Sequence, residues 1–306
     1  MRINISERLG FHRGFDRFSP NSEVGADALH KTIRGWREEI QASGNYFLYV
    51  HYNDAHLLGR GKTGLTRKGK YRPREPWYDE NVEPERANIE AYDSNLSYMD
   101  ERVKELFDRF GLEKNTLVVI AADHGEEFAD HGDYGHSNQL YDELLRVPLI
   151  VFQPDRLAPR RVAEAVSTLD LLPTFREAAG GTPNPSDEGV SLYKSIEGPP
   201  PGEPRTFFPM RFTESAVKPL ARKGVVRGRF KYILSLPAQE EELYDLEADP
   251  GEQTNVAGKH PQVVADLRGR LEAFEKEAST HKREYGGETH ISPAQAEQLK
   301  ALGYVN

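Results

Sequence analysis

The sequence predicts an α/β protein: a mostly parallel sheet flanked by helices, followed by a small antiparallel sheet with one helix. Three observations carry this reading. Tyr46–Val50, Leu117–Ala122 and Val147–Phe152 are continuous apolar runs without polar alternation, as expected of strands covered on both faces. Ile89, Tyr92, Leu96, Met99, Val103, Leu106 and Phe110 form a helical stripe between the first two runs. Past the Pro-rich stretch 199–204 the pattern changes to closely spaced short strands.

Taken in order, residues 1–30 read as loop, punctuated by Gly10, Gly14, Pro20 and Gly25. Tyr46–His51 reads as an aromatic strand. Residues 57–83 form a long polar, basic loop, a kind that is usually functional in a compact domain. Pro84 opens the helix that carries the apolar stripe, and Gly111 stops it. Thr116–Ala122 is the second strand and ends at Asp123; Val147–Phe152 is the third. Asp170 is expected to cap a helix through Leu172, Phe175 and Ala179, with Pro173 in its first turn and Gly180-Gly181 at its end. Gly224–Arg227, Phe230–Leu236 and Glu242–Leu246 read as neighbouring strands. A helix from Pro261 to about Lys276 buries Val263, Leu267, Leu271 and Phe274. This divides the chain into a catalytic α/β domain over 1–198, an α+β subdomain over 199–280 and a tail over 281–306.

Composition narrows the function. The 306 residues carry a formal net charge of -9, which argues against a nucleic-acid binder. There is no cysteine, so disulfides and thiolate metal sites are excluded. No apolar run reaches membrane-spanning length. Met1–Gly10 is polar and mixed in charge, unlike a signal peptide, so the chain as given reads as soluble and cytoplasmic, while a longer parent protein would be free to carry an export signal.

Five of the ten histidines fall in two windows, His51–His56 and Asp123–His136, each directly after a predicted strand. Ligands of open α/β sheets bind beyond the carboxyl ends of the strands, so both windows are expected at one site. Carboxylate oxygen and imidazole nitrogen suit a divalent cation, and imidazole also serves as an acid or an anion ligand. His51 reads better as an ordinary hydrogen-bonding residue, and His131 is open between the two readings. Glu126, Glu127 and Asp130 read as a solvated turn, and the basic run Arg60, Lys62, Arg67, Lys68, Lys70 and Arg72 as a solvated loop face. Asp123-His124 is the metal-site candidate, an adjacent pair just past a buried strand and followed by glycine.

The run from Asn115 through Asp123-His124-Gly125-Glu126-Glu127-Phe128, with Gly135-His136-Ser137 and Leu145-Arg-Val-Pro-Leu149 beyond it, resembles the central signature of sulfatases, in the alkaline phosphatase superfamily. Val166–Thr174, Phe230–Ile233, Glu242–Asn255, Leu299–Tyr304 and Gly10–Asp16 resemble further blocks of that family in the right order. The resemblance implies that Asp123 and His124 are metal ligands, with calcium the usual ion and manganese or zinc compatible with a histidine ligand. It implies that His56 contacts the sulfate group and that His136 stands where many members have a lysine with the same task. The implied substrate is an anionic sulfate ester, or a phosphodiester or phosphonate in related enzymes.

Two departures qualify that expectation. Ala55 and Leu57-Leu58-Gly59 replace the family's prolines around His56. The family's nucleophile motif, Cys or Ser followed by x-Pro-x-Arg, is missing: Ser235-Leu-Pro-Ala-Gln239 lacks the arginine, and no adjacent Asp-Asp pair occurs. The chain alone is therefore expected to be inactive. It reads as a fragment, as one half of an enzyme whose N-terminal half is separately encoded, or as a non-catalytic relative acting in binding or assembly, with a homo-oligomer as another way to cover its sheet edge.

Overall fold

The computed structural model describes residues 7, 10–19, 25–55, 84–112, 114–136, 139–197, 203–213 and 220–280. The elements run α1 (Ala26–Gly35), α2 (Arg37–Ala42), α3 (Pro84–Phe110), β1 (Val118–Ala121), β2 (Glu127–Phe128), β3 (Tyr134–Gly135), α4 (Asp142–Leu145) and β4 (Leu149–Phe152). They continue with α5 (Leu171–Ala178), α6 (Leu192–Glu197), β5 (Thr206–Phe207), β6 (Met210–Thr213), β7 (Leu220–Arg227), β8 (Phe230–Leu236), β9 (Glu240–Asp245) and α7 (Pro261–Thr280). Two compact units are formed. The first comprises the described residues of Met1–Leu112 and Glu126–Ser137, the second those of Glu113–Gly125 and Asn138–Glu284.

In the first unit, α1 buries Ala26, His30 and Ile33, one face of a helix at spacings of four and three. Its first amide, on Ala26, has no partner within the helix and donates to both carboxylate oxygens of buried Asp54 at 3.2 Å. Helix α3 ends as its sequence predicts: Gly111 adopts φ +63, and the amides of Gly111 and Leu112 both return to the Phe107 carbonyl. Between these helices His30 is 2% exposed, with Nε2 2.8 Å from the Tyr52 hydroxyl and Nδ1 3.6 Å from Glu105. The run Tyr46–Val50 does not form the expected strand. It makes no ladder among the described residues, and Tyr46, Phe47 and Tyr49 are 42%, 57% and 54% exposed. The apolar run is strand-like in sequence, but it joins no sheet among the described residues.

In the second unit β1 pairs with β4, Val118 opposite Phe152 and Ala121 opposite Leu149. The pair is antiparallel, where a parallel pair is expected. A parallel return requires a long crossover, usually helical. Among the described residues of the second unit, the only helix between these strands is α4, with four residues. Apolar runs identify strands without giving their direction.

Further along, Asp170 stands at the N-cap position of α5 as expected but its side chain makes no cap bond there; Ser167 caps the turn before it. The Ser167 hydroxyl accepts the Leu169 amide and the Asp170 carboxylate accepts the Ser167 amide, a capping box. Asp170 is fully buried. It also accepts the Val190 amide and a two-pronged contact from Arg205, both nitrogens at 2.8 Å. The sequence marks it as a local cap; the structure makes it a long-range anchor.

The C-terminal sheet has the order β5-β7-β8-β9, with β6 also on β7, and every pair is antiparallel. Gly228-Arg229 is a two-residue turn between β7 and β8, and Gly228 supplies the positive φ, +57. Val225, Tyr232 and Leu243 pack against Val264, Leu267 and Leu271 of α7, and Phe274 stacks on Phe208 at 4.2 Å. The opposite face of the sheet buries Ile233 and Tyr244 with Leu140 and Tyr141. Both the Tyr141 and Tyr244 hydroxyls donate to Glu242 (2.8 and 2.7 Å), and burial together with that bond pushes the Tyr141 phenol up to about 12. Full burial of one such side chain is worth about 1.5–3 kcal/mol, so this face and the α7 face each have ample apolar surface to hold the sheet.

Candidate metal and sulfate site

Strand β1 delivers the chain to Asp123 through Ala122. The turn that follows is fixed by its own polar groups. The His124 amide donates to Asp123 Oδ1 at 3.0 Å. His124 Nδ1 lies 2.8 Å from the Gly125 carbonyl oxygen. A carbonyl only accepts, so Nδ1 carries the proton and the lone pair is on Nε2. That nitrogen is 3.9 Å from Asp123 Oδ2. Ligands at about 2.1–2.4 Å from one cation are compatible with such a separation, and a histidine tautomer set by its other ring nitrogen is the usual support of a metal ligand. The donor set therefore fits a divalent cation.

Gly125 is required where it stands. A Cβ there would fall 1.9 Å from the Glu143 carbonyl oxygen, and the Gly125 amide donates to the Leu144 carbonyl at 2.9 Å. The turn is pressed against α4, whose first residue, Asp142, is held by the C-terminal sheet.

His136, in the first unit, follows the β2–β3 hairpin, in which Glu127 pairs with Gly135 and Phe128 with Tyr134. Its Nδ1 faces Glu126 Oε2 at 3.5 Å, and both side chains are about nine-tenths buried. Tyr92 packs edge-on to Phe128, and its phenol is pushed up by burial and then by Glu126. Of the acidic residues of this window, Glu126 and Glu127 are not solvated. Glu127 is 1% exposed and accepts the Asp133 amide at 3.2 Å. Asp130 is exposed, as expected, but accepts the Phe128 amide and so ties the hairpin together. His131 is half-buried within the same hairpin.

His51 behaves as an ordinary polar residue, its Nδ1 3.1 Å from the Tyr49 hydroxyl. His56 and the basic run Arg60–Arg72 lie outside the described residues. Sequence reasoning missed Asp54 and His30. Asp54 was within reach, since it sits in the first histidine window; His30 carries no local pattern beyond its place on an amphipathic helix.

Residues 15–181 match the model of the sulfatase family, more than half of the chain. The chain belongs to the sulfatase family. Residues 130–277 also match the model of the C-terminal region of N-sulphoglucosamine sulphohydrolase. Among the relatives, the choline-sulfatase of Rhizobium meliloti is 33% identical over 211 residues, covering 67% of this chain and 39% of that protein. The Delta 4,5-hexuronate-2-O-sulfatase of Bacteroides thetaiotaomicron is 29% identical, covering 65% of this chain and 42% of that protein. The chain thus spans about two fifths of the length of these sulfatases. A solved 2-O GAG sulfatase superposes with a TM-score of 0.59 at 28% identity, over 65% of this chain and 45% of that one. A phosphonate monoester hydrolase of Silicibacter pomeroyi shares the fold, with a TM-score of 0.51. The α/β class and the C-terminal antiparallel sheet agree with this family. Among the described residues no helix is long and apolar enough to cross a membrane.

Proposed function

We propose that this sulfatase-family chain contributes to the hydrolysis of sulfate esters, with Asp123 and His124 as half of a divalent-cation shell. The observation that carries the reading is the His124 Nδ1 bond to the Gly125 carbonyl, which puts the imidazole lone pair on the side of Asp123 Oδ2. Asp123 Oδ2 and His124 Nε2 would hold the cation. When bound, such a cation neutralises charge on the ester oxygens and lowers the pKa of an attacking group. Calcium is the first ion to test, with manganese and zinc as alternatives that an imidazole ligand accommodates.

Within this reading His56 and His136 act on the sulfate group, binding its oxygens or protonating the leaving alcohol. The carboxylate of Glu126 lies 3.5 Å from His136 Nδ1 and fixes the surroundings of that ring. Residues 1–198 are assigned the catalytic part and 199–280 an accessory one. The attacking group and the remaining acidic ligands are assigned to a longer parent protein or to a separately encoded partner, because the 306 residues hold neither cysteine nor an Asp-Asp pair.

Two measurements test this. Calorimetry with calcium and with manganese should show weak binding that Asp123→Ala abolishes; tight binding that survives the substitution places the cation elsewhere. Assays on an aryl sulfate and an aryl phosphate should show no turnover by residues 1–306, since losing a covalent nucleophile removes several orders of magnitude of rate. Metal-dependent turnover lost in Asp123→Ala would mean that the chain holds its own attacking group, and a preference for the phosphate ester would move it to the phosphodiester and phosphonate hydrolases.

A further inference from the structure

We propose that Lys231 and Glu252, in the C-terminal subdomain, are positioning residues for the Asp123-His124 turn and act on it through Asp142. This rests on the reading of that turn as half of a metal site.

Lys231 lies on β8 and is fully buried. An ammonium group there is tolerable only with close partners. Its Nζ contacts Glu252 at 2.9 Å and donates to Asp142 Oδ1. Glu252 is 1% exposed and adopts φ +53, a left-handed conformation that a non-glycine residue keeps only where its surroundings enforce it. Its second carboxylate oxygen accepts the backbone amide of Asp142 at 2.6 Å. The first residue of α4 is thus held twice, by its side chain and by its backbone.

Helix α4 has four residues, too few to be stable by itself. Its conformation is borrowed from what holds its ends. At the far end the Leu144 carbonyl accepts the Gly125 amide, and the Glu143 carbonyl occupies the space of a Gly125 side chain. The Gly125 carbonyl in turn fixes the His124 ring. The contacts are continuous within one compact unit, from Lys231 to Asp142, along α4 to Gly125, and so to the imidazole.

A sheet that needed only stability would do as well with an apolar residue at position 231, because well-packed apolar replacements of buried ion pairs are often neutral or stabilising. Here the charge is directed at Asp142, where it sets the helix that backs the proposed ligand pair. Continuity of contacts is not itself coupling, so the test must read both ends.

The experiment uses the full chain and amide hydrogen exchange followed by 1H–15N NMR, with Lys231→Met and the milder, isosteric Asp142→Asn. Asp142→Asn decides the matter if loss of the buried cation prevents folding. In the folded variants the Gly125 amide is expected to exchange about tenfold faster or more, while Val225, Tyr232 and Leu243 keep their protection. The His124 and Gly125 resonances should move, and calcium affinity should fall in parallel. Unchanged Gly125 protection overturns the proposal. Equal loss of protection at Gly125 and throughout the sheet also overturns it, since the trio would then serve stability alone. Asp123→Ala separates the two readings. If calcium binding survives that substitution the metal assignment fails, while Gly125 exchange still decides whether Lys231 and Glu252 hold the turn.

Discussion

Gly125 tolerates no side chain, because the Glu143 carbonyl already fills the position of its Cβ. Gly125→Ala is therefore expected to cost on the order of 2 kcal/mol as overpacking, read as a lower midpoint in urea, and to weaken cation binding more than a distant substitution of equal cost. His30 makes a pH prediction. Burial holds its pKa below the ordinary value, with Glu105 opposing and Arg102 and Arg34 reinforcing the depression; the Tyr52 hydroxyl is its fourth neighbour. The unfolded chain then takes up a proton that the folded chain resists. Stability present at neutral pH is lost as pH falls through about 6.5, the unfolded value, toward the lower folded value. Urea midpoints across that range should fall for the wild type and fall less for His30→Gln; parallel slopes would remove His30 from the account. At this scale the polar turn at Asp123-His124-Gly125 was legible because a carboxylate, an imidazole and a glycine follow one another past a strand; its metal role is the proposal made above. The role of Glu127 was not, because a pair of glutamates in a short window looks the same whether it faces water or accepts the amides of a hairpin.

The elements differ in how far sequence reaches them. Strand β8 was legible as a short apolar run beside a glycine turn, though both its faces are covered, and helix α7 through its 3.6-residue stripe, in which Leu267 and Leu271 are buried as expected while Val264 is buried more deeply than the expected Val263. The direction of β1 relative to β4 was not, because that depends on the path of the connection. The C-cap of α3 was legible through Gly111, and the role of Asp170 was not, because its partners Val190 and Arg205 are distant in sequence. Leu271→Ala should cost about 2–5 kcal/mol as a core cavity beneath α7, measured by chemical denaturation. Asp170→Asn should cost on the order of 2 kcal/mol, below the range for fully buried pairs because Arg205 remains a quarter exposed. A neutral result would show that the amide keeps every backbone contact that matters there.

At the scale of the whole molecule, the exposed strip Tyr46, Phe47 and Tyr49, with Phe15 against Phe47 at 6.0 Å, is the kind of apolar surface that invites another strand. Replacing Phe47 and Tyr49 by lysine changes the net charge from -9 to -7, which by itself lowers repulsion between copies. If the strip drives association, light scattering should nevertheless begin at a higher protein concentration; an unchanged onset would clear the strip. The C-terminal sheet has a different consequence, one of timing. Strands β7, β8 and β9 pair with their immediate neighbours across connections of two and three residues, so little chain entropy is lost in closing them. Such local pairings form quickly, whereas β1 must find β4 across residues 122–148. During refolding, the amides of Tyr232 and Leu243 should thus become protected before that of Gly125, and the sheet, though synthesised after the turn, would act as the template on which that turn is set.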